Sequence, residues 1–239
     1  MSFFITHITD GDYYALTKPG YIAVIALLVV ALAIAAIIIG RRQKAEGLSS
    51  RTLAFAGIAL ALAFATSFVK IEMPMGGSVT LFSMFFITFI GYAYGINVGL
   101  ITAFAYSLLQ FIQSGGTYFL TPFQTCCDYF LAFTALGISG FWYKKKNGLL
   151  IGYIVACLMR GVFHTIGGYM YWMDYMPEWF PKSITNLYSI AYNYSYILTE
   201  MIVTIAVLQI VPVKKAIANI VKMAQSNETI SFKKQKAAK

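Results

Sequence analysis

Charge is scarce in this chain. Asp, Glu, Lys and Arg together make up 11% of its 239 residues, against about 25% in an ordinary soluble domain, and mean hydropathy is +0.70. A soluble globular protein is excluded, and the chain reads as an integral membrane protein. Histidine is almost absent. His7 and His164 are far apart in sequence, which makes a metal enzyme a poor reading. The three cysteines, Cys126, Cys127 and Cys157, form no C-x-x-C pair, and the adjacent two have poor geometry for a disulfide. They read as small buried hydrophobes. Also missing are the G-x-x-x-x-G-K-[ST] nucleotide loop, H-E-x-x-H and G-x-S-x-G, so neither ATP chemistry nor hydrolysis has a recognised motif here. No cofactor and no metal site is expected, and an enzyme is not expected.

The charge that is present is unevenly placed. The formal net charge of +9 would suit nucleic acid only if it formed a basic stripe on a folded face. Instead the basic residues sit at the ends of apolar blocks and in the last stretch of chain, where topology-setting and headgroup-contacting charges are found.

Seven apolar blocks are legible. The first, Tyr21–Gly40, is preceded by Asp10 and Asp12 and followed by Arg41, Arg42 and Lys44, the reverse of a secretory signal. It reads as an uncleaved anchor with its N-terminus outside. Six more follow: Thr52–Val69, Val79–Tyr94, Val98–Ile112, Phe123–Trp142, Leu149–Tyr171 and Asn186–Val211, the last ended by Pro212. The division expected is an accessory transmembrane anchor in residues 1–50, a substrate-binding membrane domain in 51–212, and a basic cytoplasmic tail in 213–239. That tail reads as headgroup-associated or disordered. Arg41, Arg42, Lys44, Arg51, Lys144, Lys145, Lys146 and the tail lysines fall on one side, which the positive-inside rule makes the cytoplasm. The connections on the opposite side, Lys70–Ser78, Gln113–Gln124 and Trp172–Ser183, are rich in Gly, Pro and aromatics. They suit a lid over a site open to the exterior, or equally an interfacial aromatic belt.

Inside the blocks stand Asp128, Arg160, His164 and Glu200. An ionisable group at the bilayer centre costs about 3 kcal/mol even on lenient scales, so such groups face a bundle interior and handle ligand or ion. Arg160 and His164, four apart, share a helix face. Arg160 reads as an ion-pair partner for Asp128 or Glu200, and Glu200 as a helix–helix hydrogen bond or a second ligand contact. Aromatics gather around them, including Tyr118, Tyr169, Tyr171, Trp172, Tyr188 and Tyr192. An acid, an imidazole and many π faces suggest a pocket for a small, flat, cationic molecule. Gly57, Ala61 and Ala65 form a small-xxx-small stripe, which suits close internal packing or the docking of another membrane subunit.

Four segments then line up in order: M-P-M-G-G-S-V-T-L-F-S-M from Met73, T-P-F-Q-T-C-C-D-Y-F-L-A-F-T-A-L-G-I-S-G from Thr121, R-G-V-F-H-T-I-G-G-Y-M-Y-W from Arg160, and Y-S-I-A-Y-N from Tyr188. Together they resemble the thiamine-specific substrate-binding (S) component of energy-coupling factor (ECF) transporters. The resemblance implies an all-α, six-helix S-component bundle, here with one extra N-terminal transmembrane helix, in a bacterial cytoplasmic membrane. It implies thiamine capture from outside and delivery inward with a coupling membrane subunit and two ATPase subunits. By position it makes Asp128 the carboxylate that grips the aminopyrimidine and His164 the imidazole near the thiazolium. Tyr118 and Trp172 fall on aromatic positions, and Tyr188 and Asn193 on polar contacts of the last helix. The alternatives are an S component for another vitamin or thiamine precursor, or a stand-alone proton-coupled carrier relaying through Asp128, His164 and Glu200.

Overall fold

The computed structural model describes residues 5–8, 13–17, 19–20, 49–73, 77–115 and 120–237, with side chains at 17, 19–20, 49–73, 77–115 and 120–226. The apolar block Tyr21–Gly40 and Tyr118 lie outside the described residues. Near the N-terminus, β1 (Ile5–Ile8) and β2 (Tyr13–Leu16) pair antiparallel, a small addition to the all-α expectation.

Helices α1 (Ser50–Ser67), α2 (Ser83–Tyr94), α3 (Ile96–Gln113), α5 (Gly148–Tyr171) and α6 (Tyr188–Gln209) occupy the expected apolar blocks. Between α3 and α5 runs a mixed rod, α4, over residues 122–142. It is α-helical at Pro122–Thr125, π-helical at Cys126–Leu131, α-helical again at Ala132–Thr134 and 3-10 at Ala135–Trp142. Four described helices are long and apolar enough to cross a membrane, and α2 is a shorter apolar one. Lys70–Ser78, expected as a loop, supplies β3 (Lys70–Glu72) and the first residue of β4 (Ser78–Thr80), which pair antiparallel; β4 also takes the first two residues of the expected Val79–Tyr94 block.

The bundle is arranged for lipid. Its outer surface carries Leu53, Ile58, Leu62, Leu158, Val162 and Ile202, all exposed. Many polar groups turn inward instead and find partners there, since hydrocarbon offers none. Ser139 Oγ, for example, donates to Thr88 O at 2.8 Å. Helix α2 is central, with ten of its twelve residues buried. Small residues allow the close approach that holds helices together in lipid: a Cβ on Gly99 would stand 2.7 Å from Gly137 O, so α3 and α4 touch backbone to backbone. Gly95, at φ +90°, turns the chain from α2 directly into α3.

Helices α5 and α6 are antiparallel neighbours: Ser189 Oγ donates to Thr165 O at 2.9 Å, and Tyr194 OH to Leu158 O at 2.9 Å. Helix α6 stops at Gln209, and Ile210 leaves helical geometry (φ −61°, ψ 124°). Pro212 then sits in the first turn of a new helix, α7 (Val211–Ala237), where its missing N–H costs nothing. The tail is helical as far as Ala237.

Candidate functional site

The helix carrying Asp128 starts with a sequence-legible cap. Thr121 Oγ1 accepts from Gln124 N at 3.1 Å, and Pro122 occupies the first turn. One turn on, the ladder widens into the π segment Cys126–Leu131, a device found often at functional sites. It presents Asp128, whose side chain is 13% exposed, to a cavity of about 460 Å³ between α4, α5, α6 and the β3–β4 hairpin.

Asp128 is held by three neighbours. Gln124 Nε2 donates to its Oδ2 at 2.6 Å, and Trp172 Nε1 donates to the same oxygen at 3.1 Å. His164 Nδ1 lies 3.5 Å from Oδ1. The close packing of α5 makes this possible: a Cβ on Gly167 would stand 2.5 Å from Oδ1, so only glycine admits the carboxylate there. The acid keeps further acceptor capacity, since a carboxylate takes about four hydrogen bonds.

Arg160 does not pair with Asp128 or Glu200. Among the described residues no carboxylate lies within 4.0 Å of it. Its Nε donates to His164 Nε2 at 3.3 Å, and its guanidinium lies 4.3 Å from the centre of the Phe133 ring. Because arginine only donates, His164 Nε2 must carry a lone pair, and the ring proton sits on Nδ1, facing Asp128. Cation, neutral imidazole and anion thus form one line along the cavity wall.

Helix α6 supplies the opposite wall with a four-residue period. Tyr188, Tyr192 and Tyr196 follow one another along one face, the first pair tilted and the second edge-to-face, with ring centroids 6.0 and 5.8 Å apart. Asn193 sits between α5 and α6. Its Nδ2 donates to Ser189 O at 2.9 Å and His164 O at 3.2 Å, while its Oδ1 accepts from Tyr196 OH at 2.8 Å. The hairpin closes the cavity from one end, and Gly77 N donates to Tyr192 OH at 3.0 Å. Where α1 ends, three residues before β3, Gln110 Nε2 donates to Ser67 Oγ at 3.1 Å and Gln113 Oε1 at 2.8 Å, a polar group that also lines the cavity.

Glu200 is buried and makes the helix–helix bond anticipated as one of two readings. Its carboxylate accepts from Thr80 Oγ1 at 2.6 Å, Ser83 Oγ at 3.3 Å and Met84 N at 3.2 Å. Helix α2 has no side-chain cap of its own, because Phe82 occupies its N-cap position at φ 62°. Glu200 supplies that cap from another helix, its carboxyl oxygens accepting at the N-terminal end where a helix has N–H groups without partners of its own.

Asp128, His164, Trp172, Tyr188 and Asn193 all line the one cavity. Gln124, Tyr129, Phe133, Ser189 and Tyr196 line it too and were not singled out from sequence. Two of them had a legible signal: Gln124 lies four before Asp128, and Tyr196 continues the four-residue tyrosine period. Gly57, Ala61 and Ala65 are exposed on α1, and among the described residues nothing beyond that helix's own backbone lies within 4 Å of a Cβ built on Gly57. Ala59 and Ala63, on the next stripe, are buried.

Comparison with known proteins bears on the family and the fold. Residues 53–220 match the family model described as thiamine transporter protein. Thiamine transporter ThiT of Bacillus subtilis (strain 168) is 32% identical over 151 residues, which span 58% of this chain and 76% of that protein. Two solved structures share the fold. ThiT from Listeria monocytogenes has 22% identity and a TM-score of 0.52 over 66% of this chain and 92% of its own. A structure titled as the S component of a bacterial ECF transporter has 20% identity and a TM-score of 0.51 over 73% and 99%.

Proposed function

This chain belongs to the thiamine transporter protein family, and we propose from that premise that it captures thiamine in the cavity beside Asp128. It is a membrane transport protein and not an enzyme. The observation that carries the reading is a carboxylate facing a cavity walled by Trp172, Tyr188, Tyr192 and Tyr196. Thiamine offers two complementary parts, an aminopyrimidine that donates hydrogen bonds and a permanently charged thiazolium. A carboxylate accepts the former in short, charge-assisted bonds. Aromatic faces attract the latter by about 0.5–2 kcal/mol per good contact.

Each residue then has a task. Asp128 accepts from the aminopyrimidine, while Gln124 and Trp172 hold its Oδ2 and so fix the direction of its free lone pairs. His164 steadies Oδ1. Tyr188 lines the α6 wall, and Asn193 locks α5 to α6 at the level of the site. Tyr118, in the neighbouring 116–119 segment, is assigned an aromatic contact by family resemblance alone.

The chain acts as the S component of an ECF-type importer. Its partners are a coupling membrane subunit and two ATPase subunits, which supply the ATP chemistry that this sequence has no motif for. The exposed Gly57, Ala61 and Ala65 stripe suits docking of the coupling subunit, since small residues let a partner helix approach closely. The end of the bundle bearing Arg51, Lys144, Lys145 and Lys146 faces the cytoplasm, and the hairpin end faces outside, by the positive-inside rule. The C-terminus lies inside and the N-terminus outside, with residues 1–50 as an accessory anchor.

The direct test is titration of the purified chain with thiamine by calorimetry. Nanomolar binding without partners, with accumulation in vesicles only when the ATPase and coupling subunits are present, supports the assignment. Absence of binding, or uptake driven by a pH gradient alone, would reject it in favour of a proton-coupled carrier.

A further inference from the structure

Helix α7 runs across one end of the bundle. It begins at Val211, just past the end of α6, and its anchors lie about 21 Å further on at 1.5 Å per residue. There Gln225 Nε2 donates to Ala93 O at 3.4 Å, and Arg51 Nη1 donates to Ser226 Oγ at 2.9 Å. Ala93 is near the last residue of α2, and Arg51 is in the first turn of α1. Helix α6 ends on this same side, because it runs antiparallel to α5, and α5 begins beside the end of α2, where a Cβ on Gly148 would meet the Tyr92 ring at 2.9 Å. A helix that starts and remains at one level lies in the plane of the membrane surface.

Its faces are divided accordingly. Val213, Ile217, Val221 and Ala224 recur at helical spacing and turn toward the bundle, with Ala224 only 2% exposed. Lys215 and Lys222 are exposed on the side of the helix opposite that stripe, and Lys214 is exposed at its edge, one turn before Ile217 and two before Val221. Ile220 and Met223 are exposed on the other flank, at 38% and 53%. This is the division of an interfacial amphipathic helix, with an apolar edge for the acyl boundary and a cationic face for headgroups. The second half of α7 lies beyond residue 220, where the family match ends.

We propose that α7 is a binding surface for anionic phospholipid, with Lys214, Lys215 and Lys222 contacting headgroup phosphates while Ile220 and Met223 enter the acyl region. The chemistry that selects the ligand is negative charge joined to an apolar tail. Each juxtamembrane lysine contributes to attraction by an anionic leaflet, and the contributions add while the charges stay within a Debye length of the surface.

The test uses the full chain in neutral detergent, titrated with dioctanoyl phosphatidylglycerol or dioctanoyl phosphatidylcholine and read by native mass spectrometry and melting temperature. The wild type is expected to retain phosphatidylglycerol and melt higher in it, and to do neither with phosphatidylcholine. A Lys214→Gln, Lys215→Gln, Lys222→Gln variant should bind phosphatidylglycerol about tenfold or more weakly while still binding thiamine, which reports that it has folded. An Ile220→Ser, Met223→Ser variant should also lose affinity. Equal retention of the two lipids overturns the proposal. So does competition by inorganic phosphate at the lipid's own concentration, which would mark a site for free phosphate. Undiminished lipid binding by the lysine variant also overturns it and hands this face to a protein partner.

Discussion

Arg160 Nε donates to His164 Nε2 across 3.3 Å, so this cavity-lining imidazole is held as a neutral ring with its proton directed at Asp128. The relationship is simple to observe, because the sequence contains only one other histidine, His7. With His7→Gln and ¹⁵N-labelled histidine, NMR should show an unprotonated Nε2 and a protonated Nδ1. Arg160→Gln should shift the ring toward a tautomer mixture. A protonated Nε2 in the parent protein contradicts the arrangement.

Asp128→Asn should weaken thiamine binding about tenfold or more, equivalent to about 1.4 kcal/mol. The amide keeps the size of the acid but replaces one acceptor with a donor and loses the charge. Trp172→Ala should cost a similar factor, because the indole holds Oδ2 and lines the cavity. Calorimetric titration measures both, and unchanged affinity in either variant removes that residue from the site.

Gly167→Ala places a methyl 2.5 Å from Asp128 Oδ1. The carboxylate must move, and the Gln124 and Trp172 bonds must move with it. Thiamine affinity should fall by a factor comparable to that of Asp128→Asn, with little change in melting temperature. Wild-type affinity would mean that the carboxylate position is not what sets binding.

Glu200→Ala should act on stability first. It leaves Met84 N and one of two hydroxyls without an acceptor, since Thr80 Oγ1 and Ser83 Oγ lie 2.6 Å apart and still bond each other, a loss of about 1–3 kcal/mol. The melting temperature should drop, and Glu200→Gln should restore part of the loss because the amide oxygen still accepts. A variant as stable as the parent would show that water or a rotated neighbour caps α2 instead.

Gly57→Leu with Ala61→Leu should leave thiamine binding by the isolated chain intact and abolish ATP-dependent uptake in vesicles that contain the partners. Gly57 and Ala61 are exposed and are not among the residues that line the cavity. Normal uptake would move the docking surface elsewhere.

Much of the site was readable before the fold. Asp128, Arg160 and His164 announce themselves because charge inside an apolar run is costly and therefore kept for use. The spacing of Arg160 and His164 already puts them on one face. Arg160 also shows where such reading stops. An ion pair with a carboxylate was the plain expectation, but the guanidinium instead bonds the imidazole and lies over Phe133. Helix periodicity says which residues share a face, whereas the neighbour of that face depends on how helices pack.

The sequence by itself determined that this chain lives in a membrane, which blocks form helices, where the basic charges collect, and which ionisable groups are committed to the interior. Those properties follow from local hydropathy and from spacing along one helix. Only the tertiary structure decided that Trp172 meets Asp128 across 44 positions and that Glu200 caps α2 across 116. It also decided that a π turn aims Asp128 into the cavity and that the tail folds as a helix across the basic end. These depend on interhelical register, which close backbone contacts such as Gly99 with Gly137 set, and no single segment carries that information.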